Sequence, residues 1–122
     1  MNIEQEIQAK GLTALRVTPA DIEANIVAEH YFTGYTAIES DFSHSIYHDD
    51  SEFDGDMSLR VLTFCVLVLK NGFTVTGESA CASPENFDAE IGRKIARENA
   101  INKIWPLMGY ELKQKLYETK AN

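Results

Sequence analysis

Residues 59–79 read LRVLTFCVLVLKNGFTVTGES, and the folding of this stretch decides the rest of the chain. Leu59 to Lys70 is apolar and rich in β-branched residues, which predicts a strand. Asn71-Gly72 follows, the pair that a type I′ hairpin turn favours because both of its central residues take positive φ. Phe73 to Ser79 then alternates, with Phe73 and Val75 on one face and Thr74 and Thr76 on the other, which predicts a second strand. A two-residue loop sets the register, with Lys70 opposite Phe73, Leu69 opposite Thr74, Val68 opposite Val75 and Val66 opposite Gly77. The first strand is apolar on both faces, as a central strand covered on both sides should be. A helix of this chain can cover one side. Cover for the other from a second subunit is the basis for expecting a homo-oligomer.

Ser83-Pro84-Glu85 reads as the start of a long helix, with Ser83 as cap and Pro84 in the first helical position. The helix is expected to run to Ile104 or Trp105. Phe87, Ile91, Gly92, Ile95 and Ala96 then share its apolar face, and Gly92, Ala96 and Ala100 form a ridge of small residues that lets the hairpin come close. Glu98, Asn99 and Asn102 project within or beside the apolar arc, while Arg93 and Arg97 lie on the other side, one turn apart. Pro106 is expected to break the helix. A short amphipathic helix then runs from Glu111 to Tyr117, with Leu112 and Leu116 inward and Trp105, Tyr110 and Tyr117 packed near the bend.

Upstream, Met1 to Lys10 can form a short helix ended by Gly11, with fraying of residues 1–12 the equal alternative. Thr18-Pro19-Ala20-Asp21 is a helix start, and Ile22, Ile26 and Val27 carry that helix to about His30. Tyr31 to Ile38 suggests a short strand around Gly34. Residues 39–58 are acidic and lack a clear period, which predicts a long loop or insertion. The whole reads as one α+β domain over 1–122: a central antiparallel hairpin packed by a long helix, with a short C-terminal helix and one N-terminal helix.

Hydrophobic residues at 44% and charged residues at 25% are those of a folded domain, not a disordered chain. The longest apolar run, Val61 to Leu69 with Thr63 inside it, falls far short of the ~20 residues a membrane helix needs. The acidic start, Met-Asn-Ile-Glu-Gln-Glu, lacks the basic residues and apolar core of a signal peptide, which predicts a cytoplasmic protein. Net charge is −8. Residues 1–58 carry twelve acids and two bases, whereas residues 59–122 carry nine bases and seven acids. An acidic chain is a poor partner for nucleic acid, whose binding depends on Lys and Arg neutralising phosphates. A small anionic ligand on the C-terminal half remains compatible.

Several residues suggest chemistry. His44 and His48 have the spacing of two metal ligands on a helix, but no third ligand is specified and the surrounding sequence is a poor helix. Asp50 to Asp56 imitates the start of a calcium loop, yet the twelfth position, where a bidentate Glu belongs, is Val61. Cys65 sits in the apolar strand as a small hydrophobe, and no His is placed to activate Cys81. An enzyme needs a nucleophile–base pair or a metal. No spacing links Cys81, His30, His44 and His48 convincingly, and no cofactor is expected. The polar candidates for ligand binding are Asn99, Asn102, Arg93 and Arg97, with Ser79 and Ser83 beside the expected helix start.

The residues Leu-Lys-Asn-Gly-Phe-Thr-Val-Thr-Gly-Glu-Ser-Ala-Cys at 69–81 and Pro-Glu-Asn-Phe-Asp-Ala-Glu-Ile-Gly-Arg-Lys-Ile-Ala-Arg-Glu-Asn-Ala at 84–100 match a known pattern. Lys-Ile-Trp at 103–105, Gly-Tyr at 109–110 and Arg-Val-Thr-Pro at 16–19 extend it. Together they resemble the N4 gp49 / Sf6 gp66 family of small phage proteins, from about Gly11 to Leu116, with segment 34–58 outside the match. The resemblance implies a phage or prophage origin and an accessory role inside an infected bacterium. It carries no catalytic residues to transfer. Two binding roles are therefore expected: capture of a nucleotide-like host signal, or inhibition of a host protein through the acidic segment 39–58, as a nucleic-acid mimic would act.

Overall fold

The computed structural model describes residues 2–12, 14–48 and 55–121. Its centre is an antiparallel three-stranded sheet in the order β1-β2-β3, made of β1 (Ile26–Thr33), β2 (Leu62–Leu69) and β3 (Thr74–Ala80). Three short helices, α1 (Ile3–Ala9), α2 (Pro19–Ala24) and α3 (Gly34–Ser40), and a fourth, α4 (Gly55–Arg60), precede β2. The long helix α5 (Ala89–Ala121) closes the chain. The α+β class, the hairpin and its long covering helix are as the sequence predicts.

The hairpin register differs by one residue from the expected one. Val68 pairs with Thr74, Leu67 with Val75 and Cys65 with Gly77. The cause is the turn. Asn71 keeps negative φ, and Gly72 alone takes a positive value, +90°. The Gly72 N–H bonds the Leu69 carbonyl at 2.9 Å, and the Leu69 N–H bonds the Phe73 carbonyl at 2.8 Å, so three residues form the loop. The Asn71 side chain fixes this choice by accepting the Phe73 N–H at 2.9 Å. A type I turn followed by a left-handed glycine is the usual three-residue alternative to the two-residue loop.

Upstream, Thr18 and Asp21 form the expected capping box. The helix stops at Ala24, however, and His30 lies in β1 rather than at a helix end. Asn25 makes the stop: its carbonyl and its side chain both accept the Lys70 N–H, at 3.0 and 3.2 Å, tying the start of β1 to the hairpin tip. Tyr35 to Ile38, expected as strand, is helical in α3, with Thr33 as cap.

The start of α5 also differs. Ser83 makes no side-chain cap, and Pro84 to Asn86 forms a single 3₁₀ turn. The helix begins at Ala89, where Asp88 Oδ1 accepts the Ile91 N–H at 3.0 Å. Pro106 does not break it; the helix continues to Ala121. Proline inside a helix forfeits one bond and costs about 3 kcal/mol. Here the flanking turns are anchored by Ile104, fully buried, and by Met108, packed against the core. Beyond this anchor the helix is mostly exposed. Tyr110 and Tyr117 stand 75% and 65% exposed instead of packing at a bend, and Leu116 is exposed where it was expected inward.

The core lies between α5 and one face of the sheet. Cys65, Leu67, Leu69 and Val75 meet Ala96, Ala100 and Ile104, with Ile22 of α2 closing the side. The small-residue ridge does what its spacing predicts. A Cβ on Gly77 would collide with the Ala96 carbonyl and the Ala100 N–H, so the helix backbone rests directly on β3. The buried stripe of α5 is narrower than its spacing predicts: Ile91 and Ile95 are exposed, as are Glu98, Asn99 and Asn102. The second face of the sheet holds Leu62, Phe64, Val66 and Val68 of β2, all half-buried. Among the described residues only α3 and α4 approach this face, at its Leu62 end, so β2 is central but covered fully on one side only.

Candidate functional site

The fold separates the polar residues that the sequence grouped. Asn99 lies beside the outer strand and donates from Nδ2 to the Glu78 carbonyl at 2.8 Å. Asn102 is exposed. Ser79 is half-buried opposite Thr63 in the β2–β3 ladder, and Ser83 is exposed before the 3₁₀ turn. Arg93 and Arg97 lie toward β1, away from the two asparagines. The six therefore do not line one pocket.

Arg97 is committed to the fold. Its Nε donates to Glu29 Oε1 at 2.8 Å, and its two terminal nitrogens reach the Glu23 carboxylate at 2.9 and 2.6 Å. These bonds hold both carboxyl groups below their ordinary range and push the guanidinium further up. Tyr31 joins by donating to Glu29 Oε1 at 2.8 Å; burial, then this bond, pushes its phenol up. Beneath it, burial raises the Cys65 thiol, leaving it a neutral core side chain.

Arg93, one turn earlier, is exposed and makes no ion pair among the described residues. It borders a cleft of about 270 Å³ between β1, the start of α3 and the start of α5. Thr33, Thr36 and Thr63 supply hydroxyls to this cleft and Phe87 supplies a ring, whereas the ring of Phe32, which also borders the cleft, is turned to the opposite sheet face against Phe64. Thr33 and Thr36 are fixed by the α3 cap, with their hydroxyls 3.0 Å apart. Thr63 is 3% exposed, a polar side chain held in an otherwise apolar strand. A guanidinium offers a planar fork that matches carboxylate and phosphate, and the hydroxyls can donate or accept beside it. Among the described residues no acid lines this cleft.

A larger groove of about 450 Å³ lies between α2, the hairpin tip and α5. It is less suited to an anion. Asp21 and Glu111 line it beside Lys70, Arg16 is held by Glu4, and Lys115 is paired with Glu111 at 3.1 Å.

Catalytic arrangements are not assembled among the described residues. Cys81 Sγ donates to the Ser83 carbonyl at 3.1 Å. His30 projects from the sheet face away from α5. His44 and His48 are not in a helix, so the four-residue spacing does not place them on one helical face, and no described group of three ligating residues gathers. Residues 49–54, which hold most of the calcium-like pattern, lie outside the described residues. Thr33, Thr36 and Phe87 carry no local mark of the site, because they converge only when β1 pairs with β2 and α5 packs on the sheet. Thr63 inside an apolar run was the one local signal.

The family model for the Phage protein (N4 Gp49/phage Sf6 gene 66) family matches residues 17–116. No curated protein and no solved structure matches the chain.

Proposed function

Because the chain belongs to the phage protein (N4 Gp49/phage Sf6 gene 66) family, we propose that it is a phage accessory protein acting by binding, and that it captures a small anionic, nucleotide-like host ligand at the Arg93 cleft. The observation that carries this reading is the contrast between neighbouring arginines. Arg97 is consumed by Glu23 and Glu29, whereas Arg93 faces a cleft of hydroxyls and the Phe87 ring with no acid among its described lining residues. A phosphate on the Arg93 fork with a base against Phe87 would use that lining. No proton-transfer pair is needed, so the ligand is held and not turned over.

The test is a thermal-shift screen against nucleoside mono-, di- and triphosphates and cyclic nucleotides. A ligand that binds the folded state alone raises the melting temperature with concentration. One nucleotide class should shift the wild type. A flat screen across all classes would overturn the reading.

A second reading, inhibition of a host protein, is supported by the described part of the acidic segment. Phe42, Ile46 and Tyr47 are 69%, 77% and 67% exposed beside Glu39 and Asp41. Exposed apolar anchors in an acidic setting suit a basic host surface with apolar pockets. Deleting residues 41–48 should abolish capture of that host protein, and unchanged capture would contradict it.

A further inference from the structure

We infer that the sheet face left open by α5 is a self-association surface, and that a second copy of this chain covers it. The face carries Leu62, Phe64, Val66 and Val68 of β2, with Ala28 and Phe32 of β1 beside them. Phe32 stacks on Phe64 at 5.5 Å between ring centres and still stands 37% exposed. An apolar strip of this kind on a soluble sheet marks a contact surface.

Its chemistry selects the occupant. The strip and the strand positions beside it carry no lysine or arginine, so phosphate backbones and anionic lipid surfaces gain nothing there. Among its described strand residues the charged or titratable groups are His30 on β1 and Glu78 on β3, at opposite edges of the face. That placement is self-complementary. A two-fold axis along β2 lays β1 of one copy over β3 of the other. Val66 then meets Val66, and His30 of each copy stands over Thr76 of its partner, whose hydroxyl donates to the Glu78 carboxylate at 3.5 Å and so brings that carboxylate beside it. Face-to-face sheets pack about 10 Å apart with strands nearly aligned, which this arrangement allows. Three strands of about seven residues present a footprint of roughly 14 by 23 Å. That is less than the ~800 Å² per partner of a standard interface, so the dimer is reversible and concentration-dependent.

Sedimentation velocity over a concentration series tests this. The wild type should pass from monomer to dimer as concentration rises. Val66→Lys should stay monomeric with an unchanged circular dichroism spectrum. His30→Glu, at an exposed position where the fold is not at stake, should weaken the dimer at least tenfold, and adding Glu78→Lys should restore it. The proposal is overturned by a wild type that stays monomeric throughout, by a His30→Glu variant that dimerises as well as wild type, or by a double variant that fails to recover. None of these readouts involves the Arg93 cleft, so this inference and the ligand proposal fail separately.

Discussion

Arg93 and Arg97 stand one helical turn apart on α5 and do opposite things. Arg97 reaches across the sheet edge to two carboxylates on two different elements, Glu23 of α2 and Glu29 of β1. Arg93 reaches a cleft whose lining is hydroxyl and aromatic. The sequence presents the two as equivalent. Their difference lies in the partners that β1 supplies. Glu29 faces the helix beside Arg97, and Thr33 stands further along the same strand face, beside Arg93. A charged residue on a helix becomes structural or available according to what the neighbouring strand places under it.

The strongest perturbation of this comparison removes the platform both arginines share. Gly77→Ala forces a methyl group into the α5 backbone at Ala96 and Ala100, which cannot give way as a side chain would. We expect a loss of about 3 kcal/mol or more, measured by urea denaturation, with the position of α5 over β1 disturbed. An effect below 1 kcal/mol would mean that α5 does not rest on β3 as described.

Arg97→Ala should cost less, about 1–2 kcal/mol, because the carboxylates it leaves are partly exposed and solvent screens them. Its chemical denaturation midpoint should fall while the secondary structure persists.

The same cluster predicts an acid response. Glu23 and Glu29 titrate below the ordinary carboxyl value of 4.5 in the folded protein. Their contribution is therefore complete above that value and is lost as pH falls through the depressed range. Stability measured from pH 6 down to pH 3 should decline more steeply in the wild type than in Arg97→Ala. Parallel curves would remove Arg97 as the cause.

The smallest expected effect on stability belongs to Arg93→Ala, within about 0.5 kcal/mol of wild type, since an exposed side chain with no ion pair among the described residues contributes little. A matching melting temperature would sharpen the contrast with Arg97; a drop comparable to that of Arg97→Ala would dissolve it.

Much of the fold was legible because its local signals agree. The β-branched run of β2, the Asn-Gly turn region, the Thr18–Asp21 box and the four-residue ridge of Gly92, Ala96 and Ala100 each point to the element that forms. β1 was partly hidden, because the irregular pairing between Ile26 and Ala28 breaks strand alternation and mimics helical spacing from Ile22. The register shift was hidden too, since Asn-Gly fits both a two-residue loop and the last two positions of a three-residue loop. Pro106 misled because the rule against proline describes an isolated helix, whereas Ile104 and Met108 hold both sides of this one. The site was less legible than the fold. Arg93 could be named from sequence, but Thr33 and Thr36 reach it only through long-range pairing, and the saturation of Arg97 depends on Glu23 and Glu29 far upstream.

The most direct test of the account is a calorimetric titration of wild type and Arg93→Ala with the nucleotide class selected by the thermal-shift screen. The account predicts saturable binding to the wild type and at least a tenfold weaker affinity in Arg93→Ala at equal melting temperature. Equal affinity in the two proteins would contradict it and remove the Arg93 cleft as the binding site.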